Sequence, residues 1–162
     1  MDSRIHFFSQ KDIVSQKVKP ELLGIRGRQA NEFAELGFPI LPGMILDTEM
    51  ASDVNPKEIK KDLFDLLGKC GKIVGKQFGD VENPMLLKVV VSSNLAITTY
   101  PTLHNFGLVR PTIDGFAKWV GTDFAVNEVL FLIHGMMMIE ERIKELEDIP
   151  KEKEEKTQRI KL

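Results

Sequence analysis

Five residues, Gly24-Ile25-Arg26-Gly27-Arg28, hold the spacing with the clearest chemistry in this sequence. A short glycine turn that enters a helix presents N–H groups and the positive end of the helix dipole. Two arginines beside it add charge, so an anion is welcome there. The turn lacks the Lys-Ser/Thr of a phosphate-binding P-loop and the third glycine of a dinucleotide fingerprint. A plain strand–turn–helix connection has the same spelling. The other reactive residue types stand apart. His6, His104 and His134 have no Ser/His/Asp arrangement around them. His6 reads as strand surface and His134 as a core histidine. Glu140 and Glu141 follow His134 by six and seven residues, not by the one-turn spacing of a metal site. Cys70 sits in a helical pattern and reads as core. A lone cysteine excludes an intramolecular disulfide, and no metal site is expected.

Composition narrows the class. The chain has 162 residues, enough for one compact domain with a small helical appendage. Hydrophobic residues make up 43% and charged residues 28%, ordinary values for a globular protein. A net charge of −2 supplies no field to recruit nucleic acid or a membrane surface. The basic residues form no stripe with aromatics, which also argues against nucleic acid. The opening MDSRIHFFSQ does not read as a secretion signal. No unbroken run of about 20 apolar residues is present, so no membrane-spanning helix is expected. Cytoplasm is the expected location.

The elements that must position the glycine turn follow from pattern. Residues 4–9 read as a short strand, and 10–21 as a loop or irregular helix. A helix is expected from about 28 to 36, with Ala30, Phe33 and Ala34 on its packed face and Gly37 as its left-handed stop. Pro39 and Pro42 hold the chain extended, and Met44, Ile45 and Leu46 read as a buried strand. Thr48 is a candidate cap for a short turn. Asn55 before Pro56 starts a helix to about 78, ended by Gly79. Within it Gly68, Gly71 and Gly75 each cost about 0.8–1 kcal/mol relative to alanine, which implies close packing or a break near Gly68. MLLKVVV, 85–91, reads as a central strand, and 92–107 as a loop with some extended structure. A short helix from 112 ends at Gly121. Thr122 or Asp123 then caps a helix over about 124–147 that is apolar nearly all round. Such a helix is either deeply buried or missing a partner, and Met136–Met138 read as gap-filling core. Residues 150–162 form a charged tail.

In this order the segments resemble the opening of the pyruvate phosphate dikinase and phosphoenolpyruvate synthase family. LLGIRGRQANEFAELGFPILPGMIL is similar to the family's Gly-Gly-Lys-Gly turn, helix and Leu-Gly-x-Pro-x-Pro-Pro-Gly lead into a strand. KQFGDVENPMLLKVVVSS is similar to its Phe-Gly-Asp helix end, Asp/Asn-Pro turn and Val-x-Val-Arg-Ser strand. TIDGFAKWVG is similar to the start of its helical subdomain. The resemblance covers about 5–149. It implies an α+β fold: an N-terminal ATP-grasp-like lobe over 1–111, with a small mixed sheet and packed helices, then a helical subdomain over 112–149. It also implies a site for ATP with magnesium, in a family that phosphorylates a histidine on a separate domain.

Carried over residue by residue, the resemblance makes Gly24, Arg26, Gly27, Arg28, Ser92 and Ser93 the candidate phosphate contacts. Arg26 matches the family's phosphate-binding lysine; it keeps the charge with a different geometry. Ser92 and Ser93 fall where the family strand meets the phosphates. The arginine ending that strand matches Val91, or Val90 in a shifted register, and a second arginine falls at Asn94 or Leu95. Between Lys88 and Arg110 the only basic side chain is His104, so no register restores either arginine. The glycine-containing phosphate loop matches 92–103, which has no glycine. Each lost charge-assisted contact removes roughly 1.5–3 kcal/mol. Two would weaken triphosphate binding on the order of a hundredfold or more. The resemblance places the second ATP-grasp lobe, the phosphohistidine domain and the pyruvate-binding barrel outside these residues.

Three readings follow. The first is a degenerate nucleotide-binding lobe, a pseudoenzyme acting as a binding or regulatory module, with no catalytic residue assigned. The second is an ATP-binding fragment or subunit of a working phosphotransferase. The third is an interaction module keeping only the fold, with a protein partner or self-association covering the open lobe.

Overall fold

A computed structural model describes residues 3–14, 18–50, 54–92 and 100–147. The charged tail expected from 150 lies outside the described residues. The chain is α+β. Its order is β1 (Ile5–Phe8), a 3-10 turn (Pro20–Leu23), α1 (Gly24–Glu35), β2 (Gly43–Leu46), α2 (Pro56–Val74), β3 (Leu87–Val89), β4 (Leu103–Phe106), α3 (Arg110–Val120) and α4 (Thr122–Glu147). The described strands form two separate antiparallel ribbons, β1–β2 and β3–β4, rather than one mixed sheet. Each strand is only three or four residues long, so pairing stops at two. β3 is therefore not a central strand, and β2 is half-buried with Leu46 exposed, not fully buried.

Two apolar clusters hold the molecule. Ile5, Met50, Ile59 and Leu66 join β1, the turn after β2 and α2. Leu103, Leu108, Phe116, Ala125 and Leu132 join β4, α3 and α4. Lys69 ties α2 to the first ribbon: its Nζ lies 3.7 Å from the centre of the Phe7 ring and 3.1 Å from Asp12 Oδ1. The Ser9 hydroxyl, and then Lys69, hold the Asp12 carboxyl below its usual range.

Helix ends show where local signals suffice. Asn55 caps α2, its side chain accepting from the Lys57 N–H, with Pro56 at the first position. α2 stops at Gly75, which takes φ +71 and donates to Gly71 O, not at Gly79. It runs unbroken through Gly68; the close approach is at Gly71, against the Lys76 carbonyl. α1 ends on Gly37 as expected. Gly37 N–H donates to Ala34 O and Phe38 N–H to Phe33 O, the paired bonds of a Schellman motif. Phe33 is accordingly not core. It is 50% exposed and meets the Phe38 ring edge-on at 5.8 Å, across the motif.

Other expectations change for tertiary reasons. His6 is not strand surface: its Nε2 lies 3.2 Å from the buried Asp47 carboxylate. Asp47, not Thr48, caps the next turn by accepting from Glu49 and Met50 N–H. α4 begins at Thr122, so Thr122 and Asp123 lie inside it; the Gly121 carbonyl accepts from Ala125 N–H. His134 and Met136–Met138 are exposed, not core. Only one side of α4 is packed, and β4 and α3 are too short to wrap it. The stretch Thr122–Glu145 is also long and apolar enough to cross a membrane, against the expectation from unbroken runs. Asn127, Glu128, His134 and Gly135 interrupt the run without lowering its average far enough.

Candidate functional site

The glycine turn is the first turn of α1, not a loop before it. Pro20 opens the 3-10 turn, and Gly24, at φ +66 and ψ +171, redirects the chain into the helix. Gly24 N–H donates to Glu21 O, and Thr48 N–H donates to Leu22 O, which holds this corner against the end of β2. Gly27 is buried under Ile45; a Cβ there would lie 3.0 Å from the Ile45 side chain. Both glycines thus have packing reasons for their positions.

α1 has no side-chain cap of its own and no acidic residue in its first turn. The cap comes from distant sequence. Beyond the end of β3, Ser92 Oγ accepts from Arg26 N–H at 2.8 Å. The approach is tight: a Cβ on Gly24 would lie 2.5 Å from the Ser92 carbonyl oxygen and 2.9 Å from its hydroxyl. Gly24, Arg26, Gly27 and Ser92, proposed from sequence, are therefore brought to one place. Ser93 lies outside the described residues.

The arginine side chains differ. Arg26 is exposed, with no ion pair for its guanidinium among the described residues. Arg28 is exposed and lies 3.8 Å from Glu32 one turn on, a contact worth about 0.3–0.5 kcal/mol that an incoming anion displaces easily. Where the strand would carry an arginine, Val91 is exposed. The arrangement offers helix N–H groups, a serine hydroxyl and one or two guanidinium groups. These suit a phosphate oxygen. Among the described residues no group of three His, Cys, Asp or Glu is placed to hold a metal ion.

The larger hollows lie elsewhere. One groove of about 550 Å³ runs along the second half of α2, floored by Gly68, Gly71 and Gly75 and edged by Lys72 and Lys76. Another, about 570 Å³, lies between Leu103 and the Met136, Met137 and Ile143 side of α4. Neither includes Gly24, Arg26 or Ser92. The glycine turn is an open face, and it is set apart from the grooves by helix N–H groups, a hydroxyl and guanidinium groups on one corner. Gly68 and Gly71 of α2 and its C-cap Gly75 were the sequence signal for the first groove. The Ile45 contact on Gly27 had none. Cys70 is buried as expected, and burial pushes its thiol pKa up.

No protein-family model matches the chain. Over 132 residues it is 46% identical to pyruvate, phosphate dikinase of Treponema pallidum (strain Nichols), covering 82% of this chain and 15% of that protein. It is 31% identical over 107 residues to pyruvate, phosphate dikinase of Clostridium symbiosum, covering 62% of this chain and 12% of that protein. It is 26% identical over 131 residues to pyruvate, phosphate dikinase 1, chloroplastic, of Zea mays, covering 76% of this chain and 14% of that protein. The chain thus spans only 12–15% of the length of these relatives. The matching residues run through most of its described elements, and on that similarity the chain belongs to the pyruvate, phosphate dikinase family, as a relative of one segment of that protein.

Proposed function

We propose that the chain is a nucleotide-binding lobe of ATP-grasp type that has lost most of its grip on phosphate and works as a binding or regulatory module, not as a complete kinase. One observation carries the reading. The corner beyond β3 is closed by Ser92 Oγ on Arg26 N–H, while β3 ends at Val89 and runs on through Val90 and Val91 with no cationic side chain. Phosphoryl transfer is catalysed by positioning and by charge stabilisation. A site that keeps the corner and lacks the cations holds a nucleotide weakly and does little to its terminal phosphate. Arg26, Arg28, Ser92 and the N–H groups of the first turn of α1 would hold the phosphates. The metal would come with them and offset their charge.

The test is calorimetric titration of the full chain with Mg-ATP, wild type beside Arg26→Ala, with phosphate release followed in parallel. Weak binding that falls at least about tenfold in the variant, with no ATP turnover, is the expected result. Turnover by the pure chain would overturn it. A second reading, an ATP-binding subunit of a working phosphotransferase, is favoured by the exposed Arg26. It requires tight, Arg26-dependent binding in the same titration.

A further inference from the structure

The groove along the second half of α2 lies apart from the glycine turn and carries chemistry of its own. Its volume, about 550 Å³, falls within the roughly 300–1,000 Å³ of small-molecule sites. Phe64, Leu67 and Phe78 supply apolar lining, and Lys72 and Lys76 supply positive charge. Every lining residue comes from 64–83, so α2 and the turn after it shape the groove without help from distant sequence. That turn is pinned. Gly75 takes the left-handed stop, Lys76 N–H donates to Gly71 O, and Met85 N–H donates to Gln77 O.

The charges in the groove do not balance. Asp80 is its one carboxylate, and Asp80 Oδ1 already accepts from Glu82 and Asn83 N–H. Among the described residues neither Lys72 nor Lys76 has an acidic partner. One lysine in the last turn answers the carbonyl end of the helix dipole; the second exceeds that need. Lys76 instead sets its Nζ 4.1 Å from the centre of the Trp119 ring on α3, and Trp119 is 71% exposed. An exposed cation–π contact is weak, and a charge-assisted hydrogen bond to an anion is stronger. From these facts we infer that the groove binds an organic anion, its apolar body against Phe64, Leu67 and Phe78 and its phosphate or carboxylate head on Lys72 and Lys76. Binding draws Lys76 off the Trp119 ring. Nucleotide binding at Arg26 plays no part in this.

Octyl phosphate, kept below its micellar range, is the probe, and Trp119, the sole tryptophan of the chain, is the reporter. Titration of the full chain should give a saturable change in tryptophan emission, with octyl glucoside and inorganic phosphate each bound about tenfold more weakly or worse. Lys72→Met should weaken octyl phosphate binding by about tenfold or more and keep the circular dichroism of the wild type. Gly68→Leu should block binding too, because nothing lies within 4 Å of the Gly68 Cβ position and a larger side chain there fills the groove. Arg26→Ala on the glycine turn and Leu130→Glu on α4 should bind as the wild type does. No saturable binding would overturn the proposal, as would equal affinity for octyl glucoside or inorganic phosphate. So would a loss in Arg26→Ala or Leu130→Glu without one in Lys72→Met. Binding to phosphatidate vesicles with none of free octyl phosphate would put a membrane surface in place of a soluble ligand and overturn it as well.

Discussion

Gly115→Ala is expected to lower stability by about 3 kcal/mol or more. Gly115 is buried on α3, where the helix lies across the turn after α2. A Cβ there would sit 2.0 Å from the Val81 carbonyl oxygen and 2.8 Å from that of Glu82. Both obstacles are backbone, so no rotamer change relieves the clash. The turn itself resists movement. Asp80 Oδ1 accepts from Glu82 and Asn83 N–H, and Lys118 reaches over from α3 to Glu82 at 3.0 Å. Either α3 moves and draws Phe116 out of its cluster, or the turn breaks. Gly68→Ala is the control. Nothing lies within 4 Å of its Cβ position, so there alanine should stabilise α2 by about 0.5–1 kcal/mol. Urea unfolding of the two variants beside wild type checks both signs. A near-neutral Gly115→Ala would show that α3 does not rest on this turn.

Gly24→Ala is the second large effect, expected at about 2–3 kcal/mol. Two costs add: a left-handed φ that a side chain resists, and a Cβ within 2.5 Å of the Ser92 carbonyl. Ser92→Ala removes only the hydroxyl cap on Arg26 N–H and should cost about 1 kcal/mol. The nearest obstacle to the new methyl is backbone, so the Gly24→Ala cost should persist in the Ser92→Ala background, to within about 0.5 kcal/mol. Thermal melts of the four proteins provide the comparison. If Ser92→Ala instead rescued Gly24→Ala, the contact would be with the hydroxyl alone.

How much of this was legible in the sequence depends on the range of the interaction. Asn55-Pro56 and Gly37 were readable because their partners lie within five residues. The start of α1 was not, because its cap, Ser92, lies 66 residues on. The same holds for His6, whose partner Asp47 arrives only when β1 and β2 pair. Helix periodicity located α4, but it does not say which side is covered; that depends on β4 and α3, and Met136–Met138 were misplaced as a result. Gly24, Arg26, Gly27 and Ser92 meet as family order implied, while the division into two ribbons depends on pairings no local pattern encodes.

The two apolar clusters have a consequence for cooperativity. Each is built from four or five fully buried residues, and they share none. The described contacts between the halves lie outside both clusters: Phe78 stacks on the Phe106 ring, Lys76 lies over Trp119, Lys118 reaches Glu82, and Ser92 Oγ accepts from Arg26 N–H. Such a molecule has two foldons rather than one. The β4–α3–α4 half can open while the β1–α2 half stays shut, and calorimetric enthalpy should then exceed the van't Hoff value. Whatever covers the free side of α4 would add stability to the second foldon alone. Occupancy of that side would move the two transitions apart or together without altering a contact in the first.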